Sequence, residues 1–448
     1  MAMRSYKTAL IVLLLASFVI NLGFTAVDPV FPYLVLAFKG LLKKLPETVH
    51  GTIEAHEGAV EFGLLMAAFM ATRAPMAGAV GFISDVLGRK KIICLGLGIY
   101  TLVSTGLILA ENIVELIFLR ALQGIASAMV WPVAQAYLAD VTPRWSRGKA
   151  MSAFTMSFTL AEMAGPAVGV VIYKGSIALF HITDLVTALR SPFYFLAVMS
   201  LVSLLLSFLL PSVTSGKVSS PSFRGVIKAV RSLPSDVARS VKAIYFNGIV
   251  NGIAMGIMNT VAIVYIIEEV VKDPLYIGLF SSVLSAVSLP AAFLSGYVTD
   301  RMHERKTVVI VGYLLGTIAF IAIPLTSDFT TLLMIGSLAS LTFSFSMPAL
   351  RALQADLVES DVRGTVFGLQ QLFFNGGTFF GAVAGGWVTS YVATVSLPGG
   401  ITGYAIPFWM TAAMDLLTIV VFSVFVTERR DTSENGVRGQ ESDSHPLP

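Results

Sequence analysis

Asp28, Arg73, Arg120, Glu162 and Asp415 stand inside long apolar runs of a chain in which only 13% of residues are charged. A side-chain charge near the centre of an apolar slab costs on the order of 2.5 to 3.5 kcal/mol, so one that is kept there faces protein or water and serves a purpose. Carboxylates and guanidiniums in such a setting can hold and release a proton or neutralise a charged guest. Counting about 1.5 Å per residue from the outer surface puts Asp28, Arg120 and Glu162 at roughly 10 to 15 Å depth on three different helices. The three are expected to share a layer. Two carboxylates against one guanidinium leave one acid uncompensated and able to exchange a proton near the working pH. The plainer readings are a static ion pair between Arg120 and Glu162, and a water-exposed mouth position for Asp28.

Uncharged polar residues surround these groups at helical spacing. Arg120 heads a stripe with Gln123, Gly124, Ser127 and Trp131, a face suited to a cavity wall. Asn21 lies two turns before Asp28 on the same face. Asn247, Asn251 and Asn259 share a stripe that either lines a cavity or binds helices together. Arg73, in "ATRAPMAG", is expected to meet an anionic guest, Asp28 or a structural partner. Asp415, in "MTAAMDLLTI", either faces a cavity or hydrogen-bonds to Asn375 or Gln371. Asp28, Arg120 and Glu162 are therefore the candidate proton site. Asn21, Arg73, Gln123, Trp131, Asn247, Asn251, Asn375 and Asp415 are the candidate cavity residues.

What positions these residues is a set of membrane-spanning helices. With 448 residues, 55% of them hydrophobic, and a mean hydropathy of +0.80, the chain is too apolar for an ordinary globular enzyme. A spanning helix needs roughly 20 apolar residues to cross a core about 30 Å thick. Twelve stretches qualify: 8–36, 61–83, 92–110, 113–138, 150–173, 192–210, 243–267, 275–298, 307–325, 329–355, 364–391 and 404–427. The first follows Arg4 and Lys7, but its apolar run is about twice a signal-peptide core, so it reads as an uncleaved helix. The single cysteine, Cys94, excludes an internal disulfide and a cysteine-rich metal site. No nucleotide-binding loop, metal-ligand cluster or nucleophile elbow is present. Neither an enzyme nor a cofactor is expected, and no metal or nucleic acid.

The cations set the orientation. Lys39, Lys43, Lys44, Lys174, Arg190 and Lys272 fall on one side and Arg73, Arg120 and Arg351 within spans, which leaves 21 of the 30 on the other side. That bias places both termini in the cytoplasm of a multi-pass cell-membrane protein. The longest cytoplasmic connection divides the chain into a six-helix bundle over 1–210, a linker over 211–242, a second six-helix bundle over 243–427 and a polar tail over 428–448. In the linker, "FRGVIKAVRSL" reads as a basic amphipathic helix on the inner membrane surface, and the tail reads as disordered.

The two bundles are repeats of one another. "GFISDVLGRKK", Gly81 to Lys91, returns as "GYVTDRMHERK", Gly296 to Lys306, with Gly81, Asp85, Lys90 and Lys91 matched 215 residues later. Pro132, Asp140, Arg147 and Gly148 return 216 residues later as Pro348, Asp356, Arg363 and Gly364, and Gly165 and Gly169 as Gly381 and Gly385. The fold expected is all-α and integral to the membrane, with twelve transmembrane helices in two pseudo-symmetric six-helix bundles.

On these residues the chain resembles the major facilitator superfamily of transporters along nearly its whole length. The family's loop signature between spans two and three is matched by Gly81, Asp85, Gly88, Arg89, Lys90 and Lys91, and "RALQG", Arg120 to Gly124, is similar to its fourth-span signature. The resemblance implies two bundles rocking about a central site. It also implies a cytoplasmic gate built on Gly81, Asp85, Gly88 and Arg89, with Asp300 as the second-half counterpart of Asp85. There His303 and Glu304 replace the Gly-Arg pair. "AEMAGPAVG" resembles the family's antiporter signature through Gly165, Pro166 and Gly169, although Ala161 and Val170 stand where glycines are usual. That likeness points to proton-coupled export of small lipophilic or cationic compounds, with protons, a small-molecule substrate and the bilayer as partners and a monomer as the working unit. Proton-linked uptake of a sugar or metabolite, uniport, and a non-transporting membrane sensor are the competing readings.

Overall fold

A computed structural model describes residues 2–44, 53–211, 234–301, 305–358 and 360–426. The twelve spans are Ala2–Ala26 with the short helix Phe31–Phe38, Ala59–Leu87, Arg89–Leu109, Ile113–Val141, Arg147–Phe180, Leu185–Phe208, Ser235–Tyr265, Pro274–Arg301, Arg305–Ala322, Phe329–Leu357, Ser360–Val392 and Ala405–Phe425. Eleven of them are long and apolar enough to cross a membrane by composition alone, and span eleven, Ser360–Val392, completes the set. Spans five and seven run several residues beyond the expected apolar windows, because helical hydrogen bonding continues where lipid contact ends. The proposed linker helix and the polar tail lie outside the described residues. A two-residue hairpin, Ser396–Leu397 with Ile401–Thr402, joins spans eleven and twelve and is a small departure from an all-helical chain.

Span one is broken where "DPVFP" predicts a bend. Helix Ala2–Ala26 ends, Val27 accepts from the amides of Val30 and Phe31, and the chain restarts with Pro32 in the first turn of the short helix. Neither Pro29 nor Pro32 has an amide hydrogen to donate, so both fall where a helix needs none.

Packing repeats between the halves. Span one lies on five and six, two on four, and three on four and six; seven lies on eleven and twelve, eight on ten, and nine on ten and twelve. Without a hydrophobic drive inside lipid, such seams depend on close backbone approach over small residues. A Cβ on Gly169 would stand 1.8 Å from the Ala26 carbonyl oxygen, and one on Gly165 1.9 Å from Thr25 Oγ1. Their second-half counterparts meet span seven in the same way: a Cβ on Gly381 would stand 2.1 Å from the Ile253 oxygen and one on Gly385 2.9 Å from the Ile257 Cα.

The halves meet through spans two and eleven and through five and eight. They do so at one end only. Away from the Gly81–Lys91 segment, Gly63 fits against Ala382 and Gly386, and Gly278 against Pro166 and Val170. Toward that segment, Gly78, Gly81, Gly368 and Gly376 have nothing within 4 Å of a Cβ position. Phe82, Val86, Tyr297 and Leu372 are exposed there. The molecule is therefore closed at the far end and open at the end that carries Gly81–Lys91, which is called the signature end below.

Candidate functional site

The break in span one places Asp28 in the turn before the short helix, whose Phe31 lies against span four. There Arg120 is buried, its guanidinium 4.5 Å from the Phe31 ring centroid and 5.6 Å from those of Phe24 and Phe69. Three aromatic faces hold one cation, which replaces part of its lost hydration. Gln123 fixes the group from the next turn, accepting from Arg120 at 3.0 Å, and the Arg120 Nε hydrogen has no partner among the described residues. Asp28 lies within the electrostatic reach of Arg120 without a direct ion pair, and Glu162 likewise within that of Arg73.

Asp28, Arg120, Glu162 and Arg73 are linked electrostatically. Asp28 and Glu162 lie within electrostatic reach of each other, and Glu162 within that of Arg73. Among the described residues, no ion pair joins Arg120 to Glu162. The cluster thus has two acids and two guanidiniums, with Arg73 also 5.6 Å from the Phe69 ring centroid. Beyond the two acids and one cation read from the sequence, Arg73 of span two is a second cation within electrostatic reach of Glu162. Glu162 shares a stripe of span five with Pro166 and Val170, which contact Gly278 of span eight. The same stripe carries Glu162 one turn farther toward the open end.

Other candidate cavity residues divide between packing and the cleft. Asn21 is buried and donates to the Phe158 carbonyl at 3.2 Å, tying span one to span five. Trp131 packs edge-on to Phe158 with ring centroids 5.2 Å apart. Asn375 accepts from Gln371 at 3.0 Å, and among the described residues neither is hydrogen-bonded to Asp415. Asn375 shares a stripe with Ala382 and Gly386, which face span two, so it borders the cleft at the open end. Asn247 exchanges hydrogen bonds of 3.2 Å with Tyr313, and Asn251 donates to Asn247. Asn251, Tyr313 and Asp415 line a cavity of about 270 Å³ within the second half.

At the signature end, Gly88 turns the chain with φ of +96°, a conformation that disfavours a side chain. Arg89 then bridges Asp85 at 3.2 Å and Asp140, at the end of span four, at 2.7 Å. In this open state the expected gate residues bind spans two, three and four of one half to each other. Lys90 caps the end of span six through the Phe208 carbonyl at 2.8 Å. The second half repeats both contacts, Arg305 with Asp356 and Lys306 with the Ser423 and Val426 carbonyls at 2.7 and 2.8 Å. Arg305 therefore corresponds to Arg89, 216 residues earlier, and not to Lys90. The apparent replacement of the arginine by His303 or Glu304 came from a one-residue slip. The side chain of Asp300 lies outside the described residues.

The far-end seal was not legible in the sequence. Tyr33 donates to the Lys272 carbonyl at 2.5 Å, Lys174 pairs with the fully buried Asp273 at 2.5 Å, and His56 meets Glu268 through both its backbone amide and its ring at 2.9 Å. Each contact joins the two halves. His56 gives a task to the described part of the long loop over 38–61. The partners are 99 to 239 residues apart in sequence, and only the matching of charge to charge could have hinted at them.

Residues 13–243 and 244–447 each match the family model described as Major Facilitator Superfamily. The chain is 26% identical over 392 residues to Multidrug resistance protein 2 of Bacillus subtilis (strain 168), covering 86% of this chain and 90% of that protein. It superposes on a D-xylose-proton symporter with a TM-score of 0.73 at 14% identity, covering 95% and 98% of the two chains. It superposes on a bacterial homologue of the human lysosomal transporter Spinster, inward-facing and unoccupied, with a TM-score of 0.70 at 17% identity, covering 94% and 95%. These structural likenesses show the fold.

Proposed function

The chain belongs to the major facilitator superfamily, a family of transporters and not of enzymes, and on that premise we propose that it exports small lipophilic or cationic compounds from the cell in exchange for protons. It does so by alternating access, with both termini in the cytoplasm and the closed far end outside. What supports the reading is Glu162, on the stripe of span five whose Pro166 and Val170 contact span eight, within electrostatic reach of Asp28 and Arg73. A proton arriving on either carboxylate changes the charge balance of a cluster that borders the moving seam, so the open and closed states differ in proton affinity. The Gly165, Pro166 and Gly169 element supports exchange over uptake, and the full-length likeness to a multidrug resistance protein supports the substrate class.

Purified protein in liposomes, loaded with a pH-sensitive dye and held under a pH gradient, tests this. Lipophilic cations are expected to dissipate the gradient as they move against the proton. Sugars or organic anions moving with the proton would overturn export in favour of uptake.

A further inference from the structure

The cavity in the second half is separate from the charge cluster of the first. Its floor is Asp415 on span twelve, 5% exposed, with no hydrogen bond or ion pair among the described residues. No other charged side chain among the described residues lines it. Of its lining residues Met255, Asn259 and Phe343 are exposed, which marks them as its mouth. Phe280, Phe320 and Phe408 form much of the wall.

A lone carboxylate under such a wall is costly unless a partner of opposite charge or a proton satisfies it. Aromatic faces and a flexible methionine at the mouth favour a soft, poorly hydrated cation over a metal ion, which would require several hard oxygen ligands. A hydrogen-bonding sugar would find few partners here, since Asn251 and Tyr313 are already committed to Asn247. The volume, about 270 Å³, is slightly below the usual range for a whole drug-sized ligand. It suits the charged head of a molecule whose remainder lies in the cleft.

We infer that this pocket is the recognition site for the cationic head of the transported compound, with Asp415 as its counter-ion. The inference rests on the reading of the protein as an exporter of lipophilic cations. It divides the labour between the halves: the first handles the proton and the second the cargo.

Equilibrium binding to the full-length protein in detergent separates the two claims. The probes are tetraphenylphosphonium, a lipophilic monocation, and triphenylphosphine oxide, an uncharged compound of similar shape. Asp415→Asn is expected to weaken the cation by about tenfold or more and to leave the neutral probe within about twofold, while Asp415→Glu restores the preference. Gly316→Leu provides a second variant should Asp415→Asn fail to fold. A Cβ at Gly316 has ordinary space, 3.5 Å from Thr342 Oγ1 and 3.8 Å from Asp415 Oδ2, but a longer side chain fills the pocket. It is expected to abolish binding of both probes. Equal binding of the cation by the wild type and these variants would overturn the pocket and leave cation export standing. A wild type that does not bind the cation would overturn both.

Discussion

Lys174 of span five reaches across the seam between the halves to Asp273, a carboxylate with no exposure of its own, at 2.5 Å. The lysine is 43% exposed, so the pair is half wet and its loss costs less than that of a fully buried one. Lys174→Met leaves Asp273 buried without its cation and is expected to disfavour far-end closure by about 1 to 3 kcal/mol. Spin labels on the far-end loops of the two halves should report a wider distance distribution. The double variant Lys174→Met, Asp273→Asn should narrow it again. Unchanged distances in the single variant would show that the pair does not hold the seal.

Glu162 lies within electrostatic reach of Arg73, so the two should be coupled more strongly than Glu162 and Arg120. Asp28→Asn and Glu162→Gln are expected to abolish proton-linked flux while leaving a folded protein, as judged by a single symmetric peak on size exclusion. A double-mutant cycle on transport should give an interaction of about 0.5 to 3 kcal/mol for Glu162 with Arg73 and a smaller one for Glu162 with Arg120. Normal coupling in both acid variants would remove the cluster from the mechanism.

Gly169→Val drives a side chain into the Ala26 carbonyl, whereas Gly81→Ala meets nothing within 4 Å. Overpacking of this kind costs about 1 to 3 kcal/mol or more. Thermal unfolding in detergent should fall by several degrees for Gly169→Val and hardly move for Gly81→Ala. Because Gly81 is open only in this state, Gly81→Ala should instead slow turnover if the signature end closes tightly. Equal stability of the two variants would count against close approach of spans one and five.

Arg89 serves two carboxylates and is 10% exposed, while Arg305 is 27% exposed and its partner Asp356 52%. Exposed pairs contribute about 0 to 1 kcal/mol. Arg89→Gln is therefore expected to destabilise the protein more than Arg305→Gln, by about 2 kcal/mol. Denaturant titration of both variants decides it, and equal losses would show that burial does not set their ranking. Asp85→Asn keeps the Arg89 to Asp140 contact and should slow cycling more than it lowers stability. Unchanged turnover would reduce that aspartate to a topology anchor.

The number of spans, the two homologous halves and the break at "DPVFP" were legible in the sequence, because hydropathy, charge bias, repetition and missing amide hydrogens act locally and need no partner. Rise per residue also set an expected depth for Asp28, Arg120 and Glu162. Depth says nothing of rotation about each helix axis. That rotation brought Glu162 within electrostatic reach of Arg73, enclosed Arg120 among Phe24, Phe31 and Phe69, and left Asp415 beneath a cavity while Asn375 paired with Gln371. The correspondence of Arg305 with Arg89 likewise appeared only when both were seen to hold an aspartate on the neighbouring helix. A polar side chain's partner is chosen by the angle and distance at which separate helices meet, and in lipid those are set by close packing over small residues on all of them together.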